Sequence, residues 1–254
     1  MKLAFSTWQD VSAFLSYPDD KVALIPTGSL EQHGPHLPLF TDTLIATAVA
    51  EGIESALSDK VLMTPALWLG ASGHHMAFSG TLNASFPAYM GALESVVLSL
   101  MHHGFKKIFV INGHGGNTDP NHITLRSLRE KNLDCQLGEA GWFEFVSAEV
   151  WQEVMEGPTK SIRHACEAET SVMMHLYPDL VQKDKLGSDG LQSDPPVPGM
   201  IWTFDEMTDM GSWGHSIHAT PAKGWRLYEE AVKGGIAAMD ALSEGIVLLG
   251  PEAP

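Results

Sequence analysis

The sequence is poor in basic residues, and this shortage limits the partners that it can have. Lysine and arginine together number 15, against 31 aspartate and glutamate residues, which gives a formal net charge of −16 at pH 7. Nucleic acids and anionic membranes attract proteins through basic patches. We therefore expect neither as a partner, and the balance is compatible with an enzyme whose carboxylates serve cations.

Cysteine and long apolar runs are also scarce. The two cysteines, Cys135 and Cys166, form neither a C-x-x-C pair nor a zinc-finger spacing, so reduced thiols are expected rather than a disulfide framework. No apolar run approaches the roughly 20 residues that cross a bilayer. Gln9 and Asp10 interrupt the first apolar stretch too early for a signal peptide. A cytoplasmic protein is predicted.

Strand-like and helix-like segments alternate along the chain, which predicts an α/β fold with a mainly parallel sheet covered on both faces. No linker divides the sequence, so residues 1–254 are predicted to form one domain. The proline-rich and glycine-rich segment 187–214 is predicted to be a loop that acts as a lid or a subunit contact. The predicted strands are 22–25, 60–67, 107–111 and 134–142, and the predicted helices are 43–57, 87–103, 123–131, 165–177 and 221–249, with a break at Gly234-Gly235 left open.

Acidic and imidazole side chains directly follow the first predicted strand. The motif GSLEQHG (28–34) carries Glu31 and His33, and Asp42 follows at the entry to the next helix. Carboxylate oxygen and imidazole nitrogen together suit zinc, manganese or iron. For each residue alone a structural role stays open, with Asp42 as a helix cap and His33 as an ordinary loop histidine.

A glycine-rich turn, NGHGGN (112–117), follows the third predicted strand and carries His114. Ligands of parallel sheets bind beyond the carboxyl ends of the strands, so His114 is expected at the same sheet edge as Glu31. A tight turn with an incidental histidine remains an alternative. Phosphate binding ranks low because the turn has neither a Lys-Ser/Thr pair nor a GxGxxG pattern.

A third polar motif, RHACEAETS (163–171), opens a predicted helix with His164, Glu167 and Glu169. Acids at a helix start can simply complement the helix dipole. Taken with the earlier motifs, they complete a set that suits two divalent ions, with a spare histidine, His164, to carry a proton to a leaving nitrogen. The predicted metal ligands are Glu31, His33, Asp42, His114 and Glu167.

These motifs, with LYPDL at 176–180, resemble the creatininase (creatinine amidohydrolase) family. The resemblance implies a three-layer α/β/α sandwich, a dinuclear metal centre and commonly a homohexamer. It implies that Asp42 bridges the two ions and that His164 is the catalytic histidine. Trp142 matches an active-site tryptophan. The resemblance places one ion on Glu31, Asp42 and His114 and the other on His33 and Asp42.

The chain also departs from the creatininase pattern. Creatininases carry a Tyr-Glu pair where this chain has Gly115-Gly116, and that glutamate binds the second metal; Glu167 is predicted to replace it, with Glu169 as the competing possibility. The tryptophan that closes over creatinine is missing, since Lys160 stands near its position. The predicted substrate-binding residues are His75, Trp142 and Gly115, although an ordinary loop role for His75 stays open.

The predicted activity is hydrolysis of a C–N bond in a small cyclic or formyl amide, with a metal-bridging hydroxide as the nucleophile. Zinc is the first expectation, and manganese or iron are alternatives. A homo-oligomer with a small-molecule amide substrate is expected. Two other functions stay open: a structural metal in a binding or assembly protein, and a metal-dependent sugar isomerase or aldolase.

Overall fold

A parallel four-stranded sheet forms the centre of the computed structural model, which describes residues 1–132, 134–188, 190–191 and 199–245. The strand order is β2-β1-β3-β4. The predicted parallel α/β fold is therefore confirmed. The strands are β1 (Val22–Thr27), β2 (Val61–Met63), β3 (Lys107–Asn112) and β4 (Gln136–Gly141).

Helices cover both faces of this sheet. The helices α2, α6 and α8 pack against one another on one face, and α3 packs against α4 on the other. The helices are α1 (Trp8–Phe14), α2 (Thr41–Ala56), α3 (Phe86–His102), α4 (Thr118–Lys131), α5 (Ala148–Val154), α6 (Glu167–Leu176), α7 (Phe204–Met207) and α8 (Pro221–Glu244).

The first strand shows why both faces must be covered. Every residue of β1 is buried. Because successive side chains of a strand point to opposite faces, Val22 and Leu24 join the core beneath α2 and α8, while Ala23 and Ile25 join the core beneath α3 and α4. The continuous apolar run that predicted a buried strand is the consequence of this double burial.

Three predicted elements differ from the observed ones. The strand predicted over 60–67 is only Val61–Met63, because Pro65 lacks the N–H that a ladder requires. The helix predicted from 123 begins at Thr118, since proline is tolerated in a first helical turn and Pro120 lies there. The segment 187–214, predicted as loop, contains the short helix α7; residues 189 and 192–198 lie outside the described part.

The break considered at Gly234-Gly235 does not occur, since α8 is continuous from Pro221 to Glu244. A Cβ atom on Gly235 would collide with the side chain of Ile53, and one on Gly234 would crowd the carbonyl of Phe145. Gly235 therefore allows α8 to approach α2 closely, and Gly234 allows it to approach the turn at Phe145. Residues 246–249, predicted as the end of this helix, lie outside the described part.

The connections change direction at β1, because β2 follows on one side of it and β3 on the other. In open parallel sheets, ligands bind at such a switch point, beyond the carboxyl ends of the strands. Thr27 and Asn112 are paired at the ends of β1 and β3, so the loops that leave these two strands begin side by side. Among the described helices, none is both long and apolar enough to cross a membrane.

Candidate metal centre

Asn112 organises the turn that follows β3. Its Oδ1 accepts hydrogen bonds from the hydroxyl of Thr27 and from the backbone N–H of His114, both at 3.1 Å. Its Nδ2 donates to the carbonyl of His114 at 2.7 Å. This buried amide therefore links the two strand ends and fixes the backbone on which His114 stands.

Glycine is required in the turn beside His114. A Cβ atom on Gly116 would collide with the imidazole of His114 and with the carbonyl of Ala71. A Cβ atom on Gly115 would meet no other atom within 4 Å, and Gly115 lines the cavity. The Gly-Gly pair thus lets the backbone pass close to His114 and leaves open space on its cavity side.

Asp42 joins two histidines at the switch point. Its Oδ1 lies 2.8 Å from His33 Nε2, and its Oδ2 lies 3.2 Å from His114 Nδ1. Glu31 Oε1 lies 3.1 Å from His114 Nδ1. All four side chains are buried, with at most 3% of their surface exposed. The structure therefore brings Glu31, His33, Asp42 and His114 together, as the sequence motifs predict.

The donor set suits divalent metal ions. Within the described residues, buried oxygens of Glu31 (both) and Asp42 (Oδ2) have no hydrogen bond of acceptable geometry, although histidine nitrogens lie near them. Buried carboxylates of this kind are costly unless a cation compensates them. Three groups have ligand atoms within 4.8 Å of one another: Glu31, Asp42 and His114; His33, Asp42 and Glu169; and Glu31, His33 and His164.

Glu167 is the one predicted metal ligand that the structure does not bring to this cluster. Its carboxylate accepts hydrogen bonds from the backbone N–H groups of Glu156 and Gly157, both at 2.9 Å, and from Lys223 Nζ at 2.7 Å. Glu169 lies in the cluster instead. Two positions on a helix differ by about 200° in direction, because there are 3.6 residues per turn, so one of the two acids had to point away. The predicted ligand set is corrected at this position.

Gln32 orients two further histidines beside the cluster. Its Oε1 accepts from the N–H of Gly34 at 3.0 Å, and its Nε2 donates to the carbonyl of Gly211 at 2.9 Å, which fixes the orientation of the amide. The second hydrogen of Nε2 is directed to His75 Nδ1 at 2.7 Å. The proton of His75 is thereby assigned to Nε2, which lies 3.3 Å from Glu31 Oε1.

His164 is oriented by the backbone of Gln32. Its Nε2 donates to the carbonyl of Gln32 at 2.8 Å. Because both hydrogens of the Gln32 amide are already used, its 3.0 Å approach to His164 Nε2 is not a hydrogen bond. The lone pair of His164 is therefore assigned to Nδ1, which lies 3.7 Å from Glu31 Oε1.

Burial and charge set the protonation of the cluster. Burial alone would lower the pKa of His33, but the carboxylate of Asp42 outweighs it and raises that pKa to about 10. Burial raises the pKa of Glu169 to about 7. Burial and the nearby His33 hold the pKa of His164 well below its ordinary value, and burial also lowers the pKa of His75. His164 and His75 are therefore neutral near pH 7.

The cluster opens into a cavity of about 280 Å³. The ring of Phe204 stacks on His75 at 4.1 Å between centroids and meets the ring of His164 edge-on at 4.6 Å. Phe204 comes from α7, within the segment predicted as a lid or subunit contact, and sequence reasoning did not single it out. The other side chains of the wall belong to His74, Phe143, Ile162, Arg163 and Trp213.

Trp142 does not line this cavity. Its side chain is 1% exposed and packs in the core beneath α2 and α8. The adjacent Phe143 lines the cavity, so the predicted substrate role of Trp142 is corrected. The two rings lie in T-shaped contact, and successive residues of a turn direct their side chains differently, which places only one of them in the site.

A larger groove lies elsewhere. Its volume is about 1060 Å³, and it runs beneath the N-terminal helix between Trp8, Pro65 and His103. It is lined mainly by apolar and hydroxyl side chains and by no carboxylate. The groove therefore has no donor set for a metal ion, and the smaller cavity at the switch point is the candidate site.

The sequence matches the family model described as creatininase, creatinine amidohydrolase, over residues 4–239. A mycofactocin precursor peptide peptidase from Mycobacterium ulcerans is 33% identical over 82% of this chain and 80% of its own length. A creatinine amidohydrolase from Pseudomonas putida is 30% identical over 90% of this chain and 92% of its own.

Solved structures agree with these matches. A crystal structure of creatinine amidohydrolase superposes with a TM-score of 0.84 at 26% identity, covering 96% of this chain and 98% of that one. A mutant creatininase of Zn-Zn type (TM-score 0.81, 27% identity, 94% and 96% coverage) and a manganese creatininase (TM-score 0.82, 27% identity, 94% and 96% coverage) are also similar. The predicted zinc or manganese cofactor accords with these forms and with the acid and histidine cluster.

Proposed function

The chain belongs to the creatininase family of hydrolases, and from that premise we propose that it is a dinuclear metal-dependent amidohydrolase that cleaves a C–N bond of a compact amide. The observation that carries the proposal is the set of buried carboxylate oxygens of Glu31 and Asp42 that have no hydrogen bond among the described residues. Glu31, Asp42 and His114 would hold one ion, and His33, Asp42 and Glu169 the other. The two oxygens of Asp42 face different histidines, which supports a bridging role.

Divalent ions in such a site supply a water nucleophile that is deprotonated near neutral pH, and they polarise the carbonyl of the substrate. The chain holds the reacting groups around them. The buried walls exclude bulk water, and the protonated Nε2 of His75 lies 3.3 Å from Glu31 Oε1 without a hydrogen bond of acceptable geometry. Gln32 holds His75 and His164 at fixed positions, so little reorganisation is needed during the reaction.

His164 is suited to move the proton. Its Nε2–H is bound to the carbonyl of Gln32, so the unprotonated Nδ1 is left on the side of the cluster. Nδ1 takes a proton from the nucleophile and delivers it to the departing nitrogen, which requires a neutral imidazole at the start. Phe204 stacks on the ring of His75 and meets the ring of His164 edge-on, which restricts the motion of both rings.

A peptide bond is a second candidate for the scissile amide, because one of the similar proteins is named as a peptidase. The cavity of about 280 Å³ favours small cyclic amides and formamides. A peptide would enter only by one end.

The test is turnover by the full chain after loading with zinc or manganese. Cyclic ureides, lactams, formamides and a short peptide form the panel, and released amine or ammonia is measured together with the metal content per chain. We expect turnover with two ions per chain, and loss of both metal and activity in Glu31→Gln and His114→Ala. Two ions per chain with wild-type turnover in Glu31→Gln, or a loaded wild-type protein without activity on the whole panel, would contradict the proposal.

A further inference from the structure

Arg163 stands at the mouth of the cavity as the permanent cation among its described lining residues, which otherwise include the acids Glu31, Asp42 and Glu169. The whole chain has few arginines and an excess of acids. A positive side chain beside a site built for cations weakens metal binding by repulsion. Its presence there therefore calls for a function of its own.

Within the described residues, no carboxylate lies within 4.0 Å of the guanidinium of Arg163. Nη1 donates to the carbonyl of Ile162 at 2.8 Å and to the hydroxyl of Ser161 at 3.1 Å. By contrast, Arg226 lies within that distance of Glu153, Glu229 and Glu230. Among the described residues, the Nε and Nη2 edge of Arg163, two parallel N–H donors, makes no hydrogen bond, because both side-chain bonds come from Nη1.

Contacts of both its side chain and its backbone place Arg163 beside the cavity. Its guanidinium lies 5.1 Å above the ring of Trp213. Its backbone N–H donates to Cys166 Sγ at 3.4 Å, and the backbone N–H of Trp213 donates to the carbonyl of His164 at 2.8 Å. The arginine, its aromatic platform and the proposed proton-carrying histidine are thus held in one unit, which lowers the entropy cost of binding an anion.

We propose that Arg163 binds a carboxylate of the substrate, so that the natural substrates are compact amides with a carboxylate a few bonds from the scissile carbonyl. This inference rests on the proposed function. The planar edge formed by Nε and Nη2 matches the two oxygens of a carboxylate. The aromatic rings of Trp213 and Phe204 accept the apolar part of such a molecule. A dianionic phosphate fits less well, because a single guanidinium faces three acids in the same cavity.

The experiment compares N-benzoylglycine with its neutral amide, N-benzoylglycinamide, on the metal-loaded full chain. Dissociation constants are measured by titration calorimetry, and Michaelis constants for whichever compound is hydrolysed. We expect the acid to bind at least about tenfold more tightly than the amide, because a charge-assisted bidentate pair contributes more than a neutral hydrogen bond. This preference should disappear in Arg163→Met and be partly kept in Arg163→Lys.

Arg126→Gln is the matched control, because Arg126 is an exposed arginine on α4 outside the cavity. It should keep the full preference. A preference that survives in Arg163→Met would assign the carboxylate to the metal ions and overturn the proposal, as would equal affinity for both compounds in the wild-type protein. Tighter binding of N-benzoylaminomethylphosphonate that depends on Arg163 would replace the carboxylate by a phosphate.

Failure of this inference differs from failure of the proposed function. If the loaded protein hydrolyses neutral and acidic amides equally well, the hydrolase stands and the role of Arg163 falls. If it binds the acid through Arg163 but hydrolyses no amide, the anion site stands and the proposed reaction falls.

Discussion

Two glutamates in the first turn of α6 have opposite environments. Glu167 is surrounded by donors from the chain itself, two backbone N–H groups and Lys223. Glu169 faces His33 and Asp42 in the cluster, and it accepts a longer hydrogen bond, at 3.3 Å, from the backbone N–H of Cys166. Both carboxylates are nearly inaccessible to solvent.

The contrast separates a structural acid from a candidate metal ligand. The protein compensates the charge of Glu167, and the pKa of this carboxyl is lowered because its hydrogen bonds and Lys223 outweigh burial. At Glu169 burial prevails and raises the pKa to about 7. A buried acid that the chain leaves under-compensated needs a cation from outside, whereas a compensated one stabilises the fold.

The largest effect that tests this contrast is on activity. Glu169→Gln keeps the size of the side chain but removes a charged ligand, so kcat/KM on a hydrolysed amide should fall by about 100-fold or more, as when a metal site is disrupted. Glu167→Gln should retain activity within a few-fold. Metal content of both variants is measured in parallel by elemental analysis. Equal losses in the two variants would remove the distinction.

The contrast also shows how far the sequence predicted the site. The sequence predicts Glu31, His33, Asp42 and His114 as site residues because they follow two strands, and the carboxyl ends of paired parallel strands must meet. The choice between Glu167 and Glu169 depends on the rotation of α6 and on Lys223, a partner 56 residues away. No local pattern contains that information.

The residues of the cavity walls were less predictable than the cluster of carboxylates and histidines. Phe204 and Trp213 belong to a segment without periodicity, and their positions depend on contacts with His75 and Arg163. The resemblance points to Trp142, yet the backbone turn places the ring of the adjacent Phe143 at the cavity and the ring of Trp142 in the core. Strand order and motif position are encoded locally, whereas the packing of irregular segments is a property of the whole fold.

The next largest effect is on the stability of the fold, and it concerns Glu167, the compensated acid. Lys223→Met leaves the buried carboxylate of Glu167 with its two amide donors but without a cation, since Lys223 lies 2.7 Å away. Removing one partner of a buried ion pair is strongly destabilising. Because Lys223 is partly exposed and also pairs with Glu156, we expect a smaller loss here, about 2 kcal/mol in the free energy of unfolding. Urea unfolding measures it.

The double variant Lys223→Met, Glu167→Gln is the control for that pair. Removing the charge as well should recover part of the loss, because the uncompensated carboxylate is gone. If the single and double variants have the same free energy of unfolding, Glu167 does not depend on Lys223.

His36, in the loop before α2, contacts the same helix and provides a pH-dependent comparison. It lies 2.9 Å from the hydroxyl of Thr170, and burial lowers its pKa from 6.5 to about 4. Between these two pKa values the unfolded chain binds a proton at His36 and the folded chain does not. His36 therefore has no effect on the free energy of unfolding above pH 6.5 and lowers it as the pH falls toward 4. Relative to His36→Asn, the wild-type free energy of unfolding should decrease by about 1–2 kcal/mol between pH 7 and pH 4.5. Parallel curves for the two proteins would show that His36 is not held neutral.

The smallest expected effect concerns Ala165, which lies between His164 and α6. Ala165 adopts a positive φ of 50°, and it is the one non-glycine residue with positive φ in the described part of the chain. This conformation costs an alanine more than a glycine, so Ala165→Gly should be neutral or stabilise the protein by about 0.5–1 kcal/mol. Ala168→Gly, inside α6, should instead destabilise it by a similar or larger amount, because glycine weakens a helix interior. The two Ala→Gly substitutions should change the free energy of unfolding in opposite directions. Such a result would show that packing around His164, rather than the backbone preference of Ala165, holds the turn before α6.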